Sequence, residues 1–279
     1  ALYYFRFGEA LRRLDRMDEA IRRYEQALAL NASHLPTLEA VGPLYVTTSN
    51  WDAASKTFRQ VLQLTGGQGD PARLAKVYAC LGTVDQAQGN IGKAAKRFKK
   101  ALEMQPNDVD ALRGYACVLY SQKDWNNLLN AYNNIIYHAK EKSAFIDAYL
   151  MKGFVLDVHM TLSDKAAQHY EKSLSFDPSH PIALLRLAEI ALRKDEWDRA
   201  LSYASRALSV GGDTSNDVRG YLMLIQTIAF LNTDRSEDAQ AAAESAQTVS
   251  KKVKDLMSTQ AFEAPLLHDA LRGELSQGL

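Results

Sequence analysis

The sequence predicts an all-α chain: a right-handed superhelical solenoid of about seven helix-turn-helix units, followed by a helical tail. Three observations predict it. Small and aromatic residues recur at helical spacing along most of the chain, as in Ala20-x-x-x-Tyr24-x-x-Ala27 and Ala94-x-x-x-Phe98-x-x-Ala101. Gly8 and Gly42 stand 34 residues apart (42 − 8), and so do Gly82 and Ala116 (116 − 82). Only 7 prolines and 15 glycines punctuate 279 residues, while Ala and Leu, both strong helix formers, are abundant.

Each unit offers two amphipathic helices, A and B. Helix A carries a large–small–large set: Tyr4, Phe7-Gly8 and Leu11, then Leu38, Val41-Gly42 and Tyr45, then Tyr78 and Leu81-Gly82. It recurs as Leu112, Tyr115-Ala116 and Leu119, and as Leu184, Leu187-Ala188 and Ala191. Helix B carries the Ala–aromatic–Ala set, with looser copies at Leu128, Tyr132 and Ile135 and at Ala166, Tyr170 and Ser173. Further copies are Ala200, Ala204 and Ala207, and Ala239, Ala243 and Ala246. Spacings of three, four and seven put each set on one helical face. A lone hairpin cannot bury both faces, so neighbours stack and share one core. The small residues let A and B approach closely. Asp18, Asp52, Asn126 and Asp198 are read as N-caps that begin helix B, since Asp and Asn side chains accept orphan helix amides. Trp51, Trp125 and Trp197 precede three of them and read as plugs of the A–B turn.

These sets resemble the tetratricopeptide repeat, whose 34-residue signature runs large residue, Leu-Gly, Tyr, Ala, Phe and Pro. Pro106 and Pro178 stand where its closing proline belongs. The units are expected near 1–34, 35–65, 75–108, 109–142, 146–180, 181–214 and 218–250, with an inserted flexible loop at 66–74 around Gly66-Gly67 and Asp70-Pro71. Asp85 departs from the pattern, standing where a large residue is expected, and the fifth unit carries one extra residue, expected in its turn around His159–Ser163. Residues 251–279 form the tail, in which Leu266, Leu267, Ala270, Leu271 and Leu275 predict a helix that caps the last unit, the alternatives being a detached helix that docks on another molecule or the start of a truncated repeat. The first residue is Ala1 rather than Met, and helix begins at once. That leads to the expectation of a piece of a longer chain or a processed form.

Composition narrows function. Thirty-three basic side chains balance 33 acidic ones, so no long-range field draws the chain to nucleic acid or an anionic membrane. No apolar run reaches the ~18 residues of a spanning helix, so no membrane insertion is expected. Two cysteines make no disulfide framework and favour a reducing, cytoplasmic setting. The Gly66–Gly69 cluster lacks the strand and Lys-Ser/Thr of a phosphate loop, and the six histidines are scattered without metal-ligand spacing. No catalytic residue, metal or cofactor is expected.

The resemblance implies that helices A line a concave groove holding an extended or helical partner segment. By register, Phe5, Arg6, Glu9 and Arg12 should face it, then Glu39, Pro43, Lys76, Cys80, Thr83, Arg113, Cys117 and Tyr120, continued by Leu150, Met151, Phe154, Asp157, Arg186, Glu189 and Arg193. The residues expected to carry binding are Lys76, Cys80, Arg113, Cys117, Tyr120, Met151, Phe154 and Arg186. Cationic heads beside adaptable apolar surface suit a short acidic-hydrophobic peptide. The Lys/Asn pattern with which one branch of the family clamps a chaperone tail is missing: the corresponding places hold Phe5, Glu9 and Ala40. The Asn ladder of sugar-transferase solenoids is absent too. Lys93, Lys96, Arg97, Lys99 and Lys100 are expected on the outer face, in solvent. Three readings stay open: an adaptor binding a peptide in the groove, a scaffold binding through outer faces or ends, and the regulatory arm of a larger protein. Oligomeric state is not readable from these patterns.

Overall fold

The computed structural model describes residues 1–67, 69–210 and 214–258. They form fifteen α-helices, and no strand occurs among the described residues. Two compact units divide the chain, Ala1–His138 and Ala139–Leu279. The first holds α1 (Leu2–Arg13), α2 (Met17–Leu30), α3 (Leu35–Thr47), α4 (Trp51–Leu64), α5 (Pro71–Ala87), α6 (Ile91–Met104), α7 (Val109–Ser121) and α8 (Trp125–His138). The second holds α9 (Lys142–Phe154), a π-helical turn (Val155–His159), α10 (Ser163–Phe176), α11 (Pro181–Arg193), α12 (Trp197–Ser209), α13 (Asn216–Leu231), α14 (Ser236–Val249) and α15 (Lys251–Ser258).

Consecutive helices pair as hairpins, and the second helix of each hairpin also packs on the first helix of the next within its unit. In the first unit the A helices also touch one another, α3 with α5 and α5 with α7, while no two B helices approach comparably. The A helices therefore form the inner layer of this unit and the B helices its outer layer.

The small residues are where helices cross. A methyl placed on Gly8 would lie 2.6 Å from the Tyr24 ring, one on Gly42 2.7 Å from Phe58, and one on Gly153 2.6 Å from Tyr170. Each aromatic of a B helix thus rests directly on the backbone of an A helix. Ala20, Ala54, Ala94, Ala166 and Ala200 are fully buried from the opposite side.

The A–B turns repeat one backbone device. Asp15, Ser49, Gly89, Lys123, Asp195 and Asp234 each adopt positive φ. The next residue's amide then donates to the carbonyl five residues back, as in Asn50 to Tyr45 (2.8 Å), Asn90 to Asp85 (2.7 Å) and Glu196 to Ala191 (2.9 Å). This closes the open end of helix A. Helix B begins one residue earlier than the sequence reading has it, at Trp51, Trp125 or Trp197. The caps are the residues before the tryptophans: Asn50 accepts from the Ala53 amide and Asp124 from the Asn127 amide. Asp18, Asp52 and Asp198 instead occupy the first turn, where negative charge meets the positive end of the helix dipole. Lys123 sits at φ 58°, a conformation that costs a side-chain-bearing residue ~1–2 kcal/mol. Lys123→Gly should therefore raise the urea midpoint, by a stability gain of about 0.5–1 kcal/mol.

Three local expectations change. The insertion is shorter than 66–74, because α5 starts at Pro71 with Asp70 accepting from the Ala72 amide; proline is favoured at a first helical position. The extra residue of the fifth unit lies before the turn, in the π turn Val155–His159. There the Leu162 amide donates to Leu156 at 2.8 Å, six residues back instead of five. Arg97 is not on the outer face: it reaches inward to Asp85, Nε to Oδ2 2.9 Å, where Asp85 is buried. An Asp at the large-residue position is accommodated because its neighbour helix supplies this guanidinium.

At the far end, α15 packs on α13 and α14. Val253 is fully buried, and a methyl on Gly220 of α13 would meet Ser250 and Val253. The Leu266–Leu275 stretch expected to form a capping helix lies outside the described residues.

Candidate functional site

The first unit brings five of the expected binding residues onto its inner helices. Lys76 and Cys80 lie one turn apart on α5; Arg113, Cys117 and Tyr120 follow one another along α7. Lys76 and Arg113 are exposed, while Cys80, Cys117 and Tyr120 are half-buried. The two helices pack against each other in the inner layer. The Tyr120 ring packs edge-on against Trp125 at the start of α8, with centroids 5.6 Å apart.

Burial pushes the Cys80 thiol up to about 11, with nearby Lys76 pulling the other way. Burial raises Cys117 as well. Both stay protonated at neutral pH, which leaves them without the thiolate a nucleophile or metal ligand needs. Among the described residues, no three His, Cys, Asp or Glu side chains are grouped to hold a metal ion.

A cleft of about 330 Å³ opens between α3 and α5, lined by Glu39, Pro43, Phe58, Ala72, Arg73, Lys76 and Val77. Its floor is apolar and its rim charged. Arg73 Nε stands 3.1 Å from Glu39 Oε1 across the cleft. The sequence pattern marks Glu39, Pro43 and Lys76 as inward-facing but misses Arg73 and Ala72, which fall in the stretch assigned to the insertion. Asp70-Pro71, a cap followed by a favoured first helical residue, is the signal that extends α5 back to include them.

The second unit treats its share differently. Met151 is half-buried, but Phe154 is 3% exposed and Arg186 is fully buried. The expectation that these two face an open trough is corrected: α11 is buried from Ala183 through Leu192, so its inward residues become core. Arg186 Nη1 donates to Glu189 Oε2 at 2.8 Å, and its guanidinium lies 5.5 Å from the Phe154 ring centre. Beside them Arg193 Nη2 donates to both carboxylate oxygens of Asp157, at 2.8 and 2.9 Å, and Ser163 donates to Asp157 at 2.8 Å. The π turn supplies Asp157 to this cluster. Arg186 Nε and Nη2, Glu189 Oε1 and the Tyr170 hydroxyl are buried without a hydrogen bond.

His169 of α10 stacks against Tyr149 of α9, and burial together with the charge of Lys152 lowers it to about 4. Burial also lowers His180, whose Nδ1 accepts from the Ala183 amide to cap α11. Both imidazoles are held neutral in the folded chain. The unfolded chain takes up their protons near the ordinary histidine value of about 6.5, so stability is complete above that value. It falls as pH drops from there toward about 4 for His169. The melting temperature should therefore fall between pH 7 and 5, and His169→Gln should flatten that slope.

Two family models, each described as Tetratricopeptide repeat, match the chain, one over residues 81–142 and 162–216 and the other over residues 5–35, together more than half of it. Tetratricopeptide repeat protein 7B of Homo sapiens is 33% identical over 89 residues, 32% of this chain and 10% of that protein. Type IV pilus assembly protein PilF of Pseudomonas aeruginosa is 24% identical over 178 residues, 62% of this chain and 66% of PilF. The chain thus spans less than two thirds of either relative. The solved C-terminal part of a TPR repeat-containing protein from Cytophaga hutchinsonii superposes with a TM-score of 0.74 at 16% identity, over 90% of this chain and 98% of that one.

Proposed function

The chain belongs to the tetratricopeptide repeat family, and from that premise we propose that it is a binding module whose first unit holds a partner segment on the inner face formed by α3, α5 and α7. One observation carries this reading. The face combines exposed cations, Lys76 and Arg113, with a half-buried Tyr120 and an apolar cleft between α3 and α5. That is a surface with both a charge contact and an anchor pocket, the two parts a short acidic-hydrophobic peptide requires. The raised thiols leave Cys80 and Cys117 as contact surface rather than chemistry. In the second unit, Phe154 and Arg186 are committed to the core, so binding is assigned to the first unit. Among the described residues, no helix is long and apolar enough to cross a membrane. A scaffold role through outer faces is the competing reading.

The test is the affinity of a partner recovered from source lysate. A charge-assisted hydrogen bond contributes ~1.5–3 kcal/mol, so Lys76→Glu with Arg113→Glu should weaken binding about a hundredfold. Thermal unfolding should be unchanged, because exposed charges carry little stability. Lys96→Glu with Lys99→Glu on the outer face should leave affinity intact. Arg97 is excluded from that control because it pairs with buried Asp85. Loss of binding on reversing the outer face alone would assign the partner to the scaffold reading.

A further inference from the structure

The outer helix α6 breaks charge rules that the other B helices keep. α2, α4, α10, α12 and α14 each carry an acid in the first turn, at the positive end of the helix dipole. α6 carries none and places Lys93 there. Lys93, Lys96, Lys99 and Lys100 are all exposed. Several of them stand three or four residues apart, the spacings at which like charges on one helix repel. α2, α12 and α14 open on ion pairs, Arg16–Glu19, Arg199–Glu196 and Arg235–Asp238. Among the described residues the ion pair of α6 is made by Arg97, on its inward side, and none includes these lysines. Charge is also unevenly shared along the chain. Ala1–His138 holds 17 basic and 13 acidic side chains (17 − 13 = +4), and Ala139–Leu279 holds 16 and 20 (16 − 20 = −4). α14 is the counterpart of α6: Glu237, Asp238 and Glu244 are exposed, and the helix contains no Lys or Arg.

We propose that the outer face of α6 docks a second copy of this chain through the outer face of its α14, with Lys93 and Lys100 meeting Glu237 and Glu244. Two observations select this occupant. The charges are complementary. Their spacing also matches, because each pair stands seven residues apart, about 10.5 Å along a helix. Ala241, exposed between the two glutamates, is small enough for the stem of Lys96 to cross it. Gly92 at the start of α6 is exposed and has open space around it, so it does not hold the second helix away. A nucleic acid is disfavoured because the aromatic ring beside the stripe, Tyr78, is already covered by Lys100, with Nζ 4.9 Å from its centre. The contact is heterologous, since each copy carries both halves. Exposed ion pairs are individually weak, so the association forms at high protein concentration and is screened by salt; the lysines mainly steer and orient the encounter. The inference is independent of the groove reading, whose residues lie on the inner helices.

The experiment is sedimentation velocity on the whole 279-residue chain over rising concentration, at about 0.01 M and about 1 M salt. The sedimentation coefficient of the wild type should rise with concentration at low salt and stay constant at high salt. Lys93→Glu with Lys100→Glu should abolish the rise, and so should Glu237→Lys with Glu244→Lys, because each variant then presents like charges on both halves of the contact. An equimolar mixture of the two variants should restore it, since the reversed α6 of one meets the reversed α14 of the other. That recovery also shows that both variants are folded. Lys93→Glu alone should raise the melting temperature, because it puts an acid in the first turn of α6; this is the sign that the lysine is held against helix stability. A wild type whose sedimentation coefficient is constant at low salt overturns the inference. So does a rise that survives either reversal, which would place the contact on another face. A mixture that does not recover overturns the pairing of α6 with α14.

Discussion

Glu189→Ala should destabilise the second unit by about 3–5 kcal/mol, measured by urea denaturation. Arg186 is fully buried and Glu189 nearly so, and among the described residues the 2.8 Å contact between them is the one hydrogen bond that balances the buried guanidinium. Burial pushes the Glu189 carboxyl up and the Arg186 charge holds it back, so the pair is a compromise even when intact. Removing the carboxylate strands a cation that already has two unsatisfied nitrogens. Domains of this size are stable by only ~5–15 kcal/mol, so the single change consumes a large part of the total. Arg186→Met with Glu189→Leu should behave oppositely, staying within about 1 kcal/mol of the wild type or exceeding it. If Glu189→Ala alone costs less than about 1 kcal/mol, the pair is not held out of water as described.

The second large effect is expected at Phe98. Its ring is 1% exposed and lies between two glycines: a methyl on Gly82 would come within 2.9 Å of it and one on Gly114 within 2.4 Å. The ring therefore joins α5, α6 and α7, the helices that carry Lys76 and Arg113. Phe98→Ala should cost about 3–5 kcal/mol. Gly114→Ala should cost about 1–3 kcal/mol by overpacking. Adding Phe98→Leu to Gly114→Ala should cost less than the sum of the two single changes, because the smaller side chain makes room for the new methyl. Strict additivity in that cycle would contradict the direct contact.

The hairpin architecture was legible because each signal has a mechanical counterpart. Gly8, Gly42 and Gly82 are small because Tyr24, Phe58 and Phe98 rest on their backbone. The tryptophans mark turns because helix B starts on them. What was not legible followed from contacts between units of the repeat. Register alone puts Arg186 and Phe154 beside Lys76 and Arg113, since all occupy inward positions of A helices. Whether such a position is surface or core depends on how closely the next helices approach, and on α11 they bury both faces. Arg97 has the pattern of a solvated lysine-rich face, yet Asp85 draws it inward. The misplaced Asp85 was the visible half of that pair. Of the cleft, Glu39, Pro43 and Lys76 were readable, and Arg73 was hidden by an insertion drawn too long.

The central claim is that a partner lies on the inner face of the first unit. Photo-crosslinking tests it most directly, with a benzophenone side chain placed at Thr83 on α5 in one variant and at Lys99 on the outer helix α6 in another. Thr83 is half-buried on the inner helix α5, and Lys99 is exposed. The account predicts that the partner crosslinks from position 83 and not from 99, and that Lys76→Glu with Arg113→Glu abolishes the product. Crosslinking from 99 with none from 83 would contradict it.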